Sequence, residues 1–307
     1  MKKFILQIII FLIFLFISSE ITIRVFNLIS DIPQRVVDDS GIQKYSPGQK
    51  GQYDGLHWET NEHGWIGVAE TEGDIITIIG DSFIENLMNP IDCNQGALLK
   101  KHYPQYSFFE AGRSGITLIE AIKIASLLQE DLYPKFQLIY VNTNDFLESA
   151  SNLTYYADRY QVDLNTGKER AGQIKYKNLK EVIYRIKTLY YLYKNFPIFV
   201  EEQNKATDHN VTDIAMSDTI KSKNDETIKN LYRYIVENYD TSSIVLIFHP
   251  GIDESVVKYA NEFGVHHLEL DSDDIQAWRV SESDGHWNCY GHTQVSTQVA
   301  EFLSTVL

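Results

Sequence analysis

Ser82 closes the stretch Asp74-Ile-Ile-Thr-Ile-Ile-Gly-Asp-Ser82 and is the first residue whose position suggests chemistry. A serine hydroxyl is a weak nucleophile at neutral pH. It becomes effective when a histidine takes its proton, a third group holds that histidine, and amide donors await the oxyanion. Candidates for those parts lie further along. The segment Ser283-Asp-Gly-His-Trp-Asn-Cys-Tyr-Gly-His292 contains Asp284, which can orient the ring of His286. His286 would accept the proton of Ser82 and return it to a leaving alcohol. Glu110-Ala-Gly-Arg-Ser-Gly115 supplies a turn from which a backbone N–H can point into a site, and Asn142-Thr-Asn-Asp145 places Asn144 after a strand. Each fragment also has an ordinary use. Gly-Asp-Ser and Asn-Asp cap helices, and glycines let a strand turn into a helix. Asp81, beside the serine, fits a helix cap better than a base.

These residues must be positioned by strands. Ile75 to Ile79 is rich in β-branched residues and is expected as a buried strand broken at Gly80. Further strands are expected over Ser107–Ala111, Phe136–Val141, Ser243–Phe248 and Val265–Leu270. Helical patterns fall between them at Ile84–Lys101, Thr117–Gln129, Glu226–Asn238 and Glu254–Phe263, with a last helix from about Thr293. Strands alternating with helices predict an α/β fold, a doubly wound, flavodoxin-like parallel sheet of about five strands. Its ligands bind beyond the carboxyl ends of the strands, which is where the candidate residues converge.

With these blocks in this order, the chain resembles the SGNH (GDSL-type) hydrolase superfamily over roughly residues 56–307. The resemblance implies the SGNH hydrolase fold. It assigns Ser82, Gly115 and Asn144 to the oxyanion hole, with Gly112 as the alternative register for Gly115, and Ser82, His286 and Asp284 to the catalytic triad. Asn142 stands where the family usually has Gly, and Glu110 where it often has Asn. Thr60-Asn-Glu-His-Gly-Trp-Ile-Gly67 is similar to a segment that precedes the serine block in membrane-anchored members. The C-terminal spacing Asp-x-His, followed by Trp and Asn, looks like the alginate O-acetyltransferase-like branch rather than the commoner Asp-x-x-His. The implied activity is hydrolysis of acyl esters, with O-acetyl as the expected acyl group. The alternative is O-acyl transfer to a cell-surface polysaccharide, and one of another class is a non-catalytic carbohydrate-binding module on the same fold.

The rest of the chain sets the context. Lys2 and Lys3 precede Phe4–Ile17, whose only polar member is Gln7, and counting on to Ile23 gives about the 20 residues that a bilayer-spanning helix needs. A cleaved signal peptide is the rival, but small residues at both −3 and −1 are missing, which favours an uncleaved anchor over residues 1–24. The flanking lysines then place everything after Arg24 outside the cytoplasm. Residues 25–73 look like a leader, and 74–307 like the SGNH hydrolase-like domain, with an insertion at about 150–225. That insertion reads as a hairpin over Tyr155–Gly172, an amphipathic helix over Lys175–Asn195, and a loose polar stretch over Glu201–Asp225. From Tyr155 to Lys194 it carries eight of the 19 tyrosines and nine Lys or Arg against four Asp or Glu. A cap stacking sugar rings or facing anionic headgroups fits this composition, as does simple packing with solvated lysines.

The chain's formal charge of −15 argues against a general nucleic-acid or anionic-membrane binder. No metal or other cofactor is expected. His57 and His63 lack a third ligand, and His286, Cys289 and His292 cannot be presented tetrahedrally by one helical turn. His249, followed by Pro250, suits a structural turn better than substrate contact. The two cysteines, Cys93 and Cys289, allow either a bridge near the site or simple burial.

Overall fold

Runs of β-branched residues bounded by turn formers become the strands of one parallel sheet. The computed structural model describes residues 1–196 and 218–307. In chain order its elements are α1 (Lys2–Val25), a hairpin of β1 (Arg35–Val37) and β2 (Gln43–Tyr45), and a second hairpin of β3 (Lys50–Tyr53) and β4 (Leu56–Glu59). Then come β5 (Ile75–Gly80), the single turn α2 (Ser82–Glu85), α3 (Gln95–His102), β6 (Ser107–Gly112), α4 (Leu118–Leu132), β7 (Phe136–Val141) and α5 (Thr143–Ser149). A third hairpin, β8 (Gln161–Asp163) and β9 (Lys168–Arg170), leads to α6 (Lys177–Arg185), α7 (Lys187–Asn195) and α8 (Asp218–Asn238). The chain ends with β10 (Ile244–Phe248), α9 (Glu254–Phe263), β11 (His267–Glu269) and α10 (Cys289–Val306).

The main sheet has the order β11-β10-β7-β5-β6, and every pairing in it is parallel. This is the doubly wound α/β architecture expected. β5 lies in the interior of the sheet and all of its residues are buried. Its alternate side chains enter different cores: Ile75 and Ile79 meet α4 and α8 residues such as Leu118 and Leu231, while Ile76 and Ile78 meet Leu99 of α3 and Val299 of α10. A strand covered on both faces has no polar side, so it reads as a near-continuous apolar run, with only the buried Thr77 between the isoleucines.

Three expectations need correction, and one region gains elements that the sequence does not show. The helix from Ile84 to Lys101 does not run through: α2 stops after one turn, where Asn86 turns left-handed at φ 51, and a 3-10 turn over Ile91–Cys93 follows Pro90 before α3 starts. The helix from Lys175 to Asn195 is split at Ile186, which is extended. α8 starts at Asp218, so the end of the stretch expected to be loose is helical; the rest of it lies outside the described residues. The leader is folded. It forms β1 to β4, and its Ile42 and Trp65 join the core that contains Ile79. Strands of three or four residues are too short to show a period.

The folded leader is fastened to the sheet by a buried ion pair. Arg113 and Glu120 have side chains 1% exposed and meet at 2.6 Å, and Arg113 Nε donates to the Gln43 carbonyl of β2 at 2.9 Å. Removing one partner of such a pair strands the other charge. Glu120→Leu is expected to cost roughly 3–5 kcal/mol, and the double change Arg113→Met with Glu120→Leu clearly less, as read from urea unfolding of the detergent-solubilised chain.

Candidate active site

Sheet register decides which residues can meet. Gly80 at the end of β5 pairs with Gly112 at the end of β6, and β7 flanks β5 on the other side. The segments after β5, β6 and β7 therefore emerge side by side at the carboxyl edge, carrying Ser82, Gly115 and Asn144. Ser82 opens α2. Asp81 caps that turn by accepting the Phe83 N–H at 3.0 Å. Burial pushes the Asp81 carboxyl up to about 6, and Asn142 Nδ2 donates to it at 3.4 Å, which joins the serine and asparagine segments.

His286 arrives from the long loop between β11 and α10. Ser82 Oγ donates to His286 Nε2 at 2.8 Å, and His286 Nδ1 donates to Asp284 Oδ1 at 2.5 Å. The backbone N–H of His286 donates to the same oxygen at 3.0 Å. Burial alone would raise the Asp284 carboxyl, but the hydrogen bonds from His286 outweigh it and hold Asp284 below its ordinary value. Asp284 therefore stays ionised opposite the imidazole. The structure thus brings Ser82, His286 and Asp284 into one relay, at the spacing Asp-x-His.

A loop without strands needs other restraints. Trp287, 2% exposed, packs against Phe83 and His249 with ring centroids 4.8 and 4.5 Å apart. Its carbonyl accepts from Asn89 Nδ2 at 2.8 Å. One residue past Asn288, Cys289 is bonded to Cys93, with Cα atoms 5.2 Å apart. Of the two readings open to these cysteines, the structure takes the bridge. His249 is buried beside the ring of Phe83, and burial lowers it to about 3, so it stays neutral near the site. His292 is likewise buried, lowered to about 3, and bonded to Gln95. Neither belongs to the relay. Among the described residues no group of three His, Cys, Asp or Glu is arranged to hold a metal.

The two glycine registers separate on space. A Cβ on Gly112 would lie 2.5 Å from the backbone nitrogen of Glu85, so this glycine lets β6 approach α2. Gly115 is open around its Cβ position and takes φ +77, and its N–H donates to no backbone carbonyl among the described residues. Asn144 sits exposed in the first turn of α5, its backbone N–H donating to Asn142 Oδ1 at 2.8 Å. Sequence reasoning missed Glu85. Its buried carboxylate accepts the Ser114 N–H at 3.2 Å and also binds the Ser114 and Tyr45 hydroxyls. It therefore ties the turn that begins at Ser82 to the residue before Gly115. Only its three-residue distance from Ser82 could have drawn attention to it.

No known family model matches the chain, and no curated protein matches its sequence. Solved structures to which it is similar include the psychrotrophic esterase EstA from Pseudoalteromonas sp., at 12% identity and TM-score 0.41, with 76% of this chain and 98% of that one covered. The lipase/acylhydrolase from Enterococcus faecalis shares 13% identity at TM-score 0.40 over 76% and 97%. The acetyl xylan esterase Est2A from the rumen bacterium Butyrivibrio proteoclasticus shares 12% at TM-score 0.39 over 79% and 66%.

Glu110 replaces the Asn expected at its position and makes bonds of its own. Its carboxyl oxygens accept the Val68 N–H at 2.7 Å and the Gly96 N–H at 2.8 Å, joining the folded leader to α3 behind the site. Burial pushes it up from 4.5 to about 7. Between those values the folded chain holds a proton that the unfolded chain has released. The contribution of this group is complete below the lower value and is lost as pH rises through the upper one. In thermal unfolding from about pH 5 to 8, the Glu110→Gln variant is expected to lose less stability than the native chain.

Proposed function

We propose that this chain is an extracytoplasmic serine ester hydrolase of the SGNH type, held at a membrane by α1, that cleaves acyl esters, O-acetyl esters in particular. The observation that carries this reading is the Ser82–His286–Asp284 relay, with contacts of 2.8 and 2.5 Å. His286 takes the proton from Ser82 Oγ as that oxygen attacks the acyl carbon, and Asp284 stabilises the imidazolium. The oxyanion is received by the N–H groups of Ser82 and Gly115 and by the side-chain amide of Asn144, each worth about 3 kcal/mol when aimed at the developing charge. The imidazolium then protonates the leaving alcohol. Water, activated by the same ring, releases the acid from the acyl-enzyme.

Two observations support the location. α1 is long and apolar enough to cross a bilayer, and none of its most hydrophobic window is buried. The Cys93–Cys289 bridge suits an oxidising compartment. The Asp-x-His-Trp spacing keeps transfer to a glycan hydroxyl as the second reading, since an alcohol can replace water in the final step.

A fluorophosphonate probe is expected to label Ser82, and Ser82→Ala is expected to lose both labelling and hydrolysis of p-nitrophenyl acetate. Asp284→Asn should reduce kcat by roughly 10³- to 10⁴-fold. Full activity in Ser82→Ala would end the proposal. Acyl transfer to added glycan that outpaces acetate release would make the chain a transferase. Glu85→Gln, which disturbs the clamp on the Gly115 turn, is expected to lower kcat by about 10- to 100-fold with KM nearly unchanged.

A further inference from the structure

The composition of the segment that forms α6 and α7 fits a cap stacking sugar rings or facing anionic headgroups, or simple packing. Their docking favours the headgroups. Ser19 Oγ lies 3.2 Å from Thr188 Oγ1, and the Glu20 carboxylate accepts the Lys187 and Thr188 N–H groups at 3.1 and 2.8 Å. A carboxylate from α1 thus caps the first turn of α7 where that helix has no cap of its own. Arg24 donates to the Arg185 carbonyl at 2.8 Å, and Lys187 pairs with Asp31 just past α1. Tyr190 packs with Ile23 and Ile29, so one side of the helix pair grips the foot of α1.

The height of this grip can be worked out from helix geometry. If α1 crosses a bilayer with Lys2 and Lys3 among the headgroups, the residues from Phe4 to Ile23 span about 30 Å at 1.5 Å each, the hydrocarbon thickness. Glu20 then lies within one helical turn of the hydrocarbon boundary, and α7, which starts on it, lies along that boundary. The other side of the pair is apolar and open. Leu179, Val182, Leu192 and Phe196 are 58, 52, 46 and 52% exposed, and Val25 and Phe26 at the end of α1 are 67 and 70% exposed. A soluble helix pair would turn such residues inward. Residues 177–195 also carry five Lys or Arg and one Glu in a chain of net charge −15; Lys187 pairs with Asp31 and Arg185 with Glu181, and Lys177, Lys180 and Lys194 are the other three. Open apolar residues beside cations and tyrosines, at that height, match an interfacial helix.

We infer that α6 and α7 form a lipid-facing foot, whose apolar side enters the headgroup region of an anionic bilayer leaflet beside the anchor. The inference rests on α1 as a membrane anchor and is independent of the ester-hydrolase proposal. The foot fixes how far above the membrane, and at what tilt, the sheet edge carrying Ser82 is held.

The test uses the full chain in nanodiscs of phosphatidylcholine with about 30% phosphatidylglycerol. Both native cysteines are bridged, so one introduced cysteine is the only thiol to label. Bimane is placed at Val182→Cys, Leu192→Cys, Phe11→Cys in the anchor and Asn261→Cys on α9, and quenching is measured with a shallow nitroxide lipid and, for position 11, with a lipid whose nitroxide lies deep in the acyl chain. Positions 182 and 192 are expected to lose about half of their fluorescence or more, while 261 loses under about a tenth. Quenching at 11 with 182 and 192 no different from 261 would overturn the foot while leaving the anchor in place. No quenching at 11 would remove the anchor and the foot together. Strong dipolar coupling between spin labels at 192 on two copies, without lipid quenching, would make this face a contact between copies and overturn the inference. None of these readouts depends on esterase activity, so the two proposals fail separately.

Discussion

The contact between Ser82 and His286 joins residues 204 positions apart, and much of the C-terminal region is organised to keep it. The serine end is rigid because it follows an interior strand of the sheet. The histidine end has no such support, since its loop pairs with no strand of the main sheet. It is held by three different restraints within a few residues: a buried indole, a side-chain amide on the Trp287 carbonyl, and a covalent bond from Cys289. Each of them leads back to residues 83–93, the segment just after Ser82. The two ends of the relay therefore share one local frame, and movement of the frame carries both.

That arrangement explains why residues 84–101 could not be one helix. A continuous helix would carry Asn89 and Cys93 along the sheet, away from the C-terminal loop. The left-handed Asn86 and Pro90 instead turn the chain so that both residues face Trp287 and Cys289. Local helical periodicity was real but yielded to a long-range requirement, as propensity often does when tertiary contacts compete with it. Glu85 shows the same principle. It looks like an ordinary helix residue in sequence, and only the fold brings the Ser114 and Tyr45 hydroxyls to its carboxylate.

Much of the sheet was legible because interior parallel strands are nearly all apolar: Ile244–Phe248 has no polar member, Ile75–Ile79 only Thr77 and Phe136–Val141 only Gln137 besides Tyr140. Ser82, Asp284 and His286 could be picked out as candidates because they stand next to turn formers at the end of such a run or in the last loop, and the structure brings the three within hydrogen-bond distance. What stayed hidden was everything that depends on partners distant in sequence. The leader's hairpins are too short to show alternation, yet Ile42, Tyr45 and Trp65 are buried. The break at Ile186 has no local cause in sequence either, because the group that starts the next helix is Glu20, on α1.

That last bond bears on how the protein can be handled. A version trimmed to begin after Val25 for the sake of solubility would discard Glu20 along with the greasy segment, and the amides of Lys187 and Thr188 would have to find water instead. The trimmed molecule would keep its sheet and its relay. It would meet solvent with a frayed helix end and a bare tyrosine cluster, so its tendency to stick or clump would say little about the intact chain.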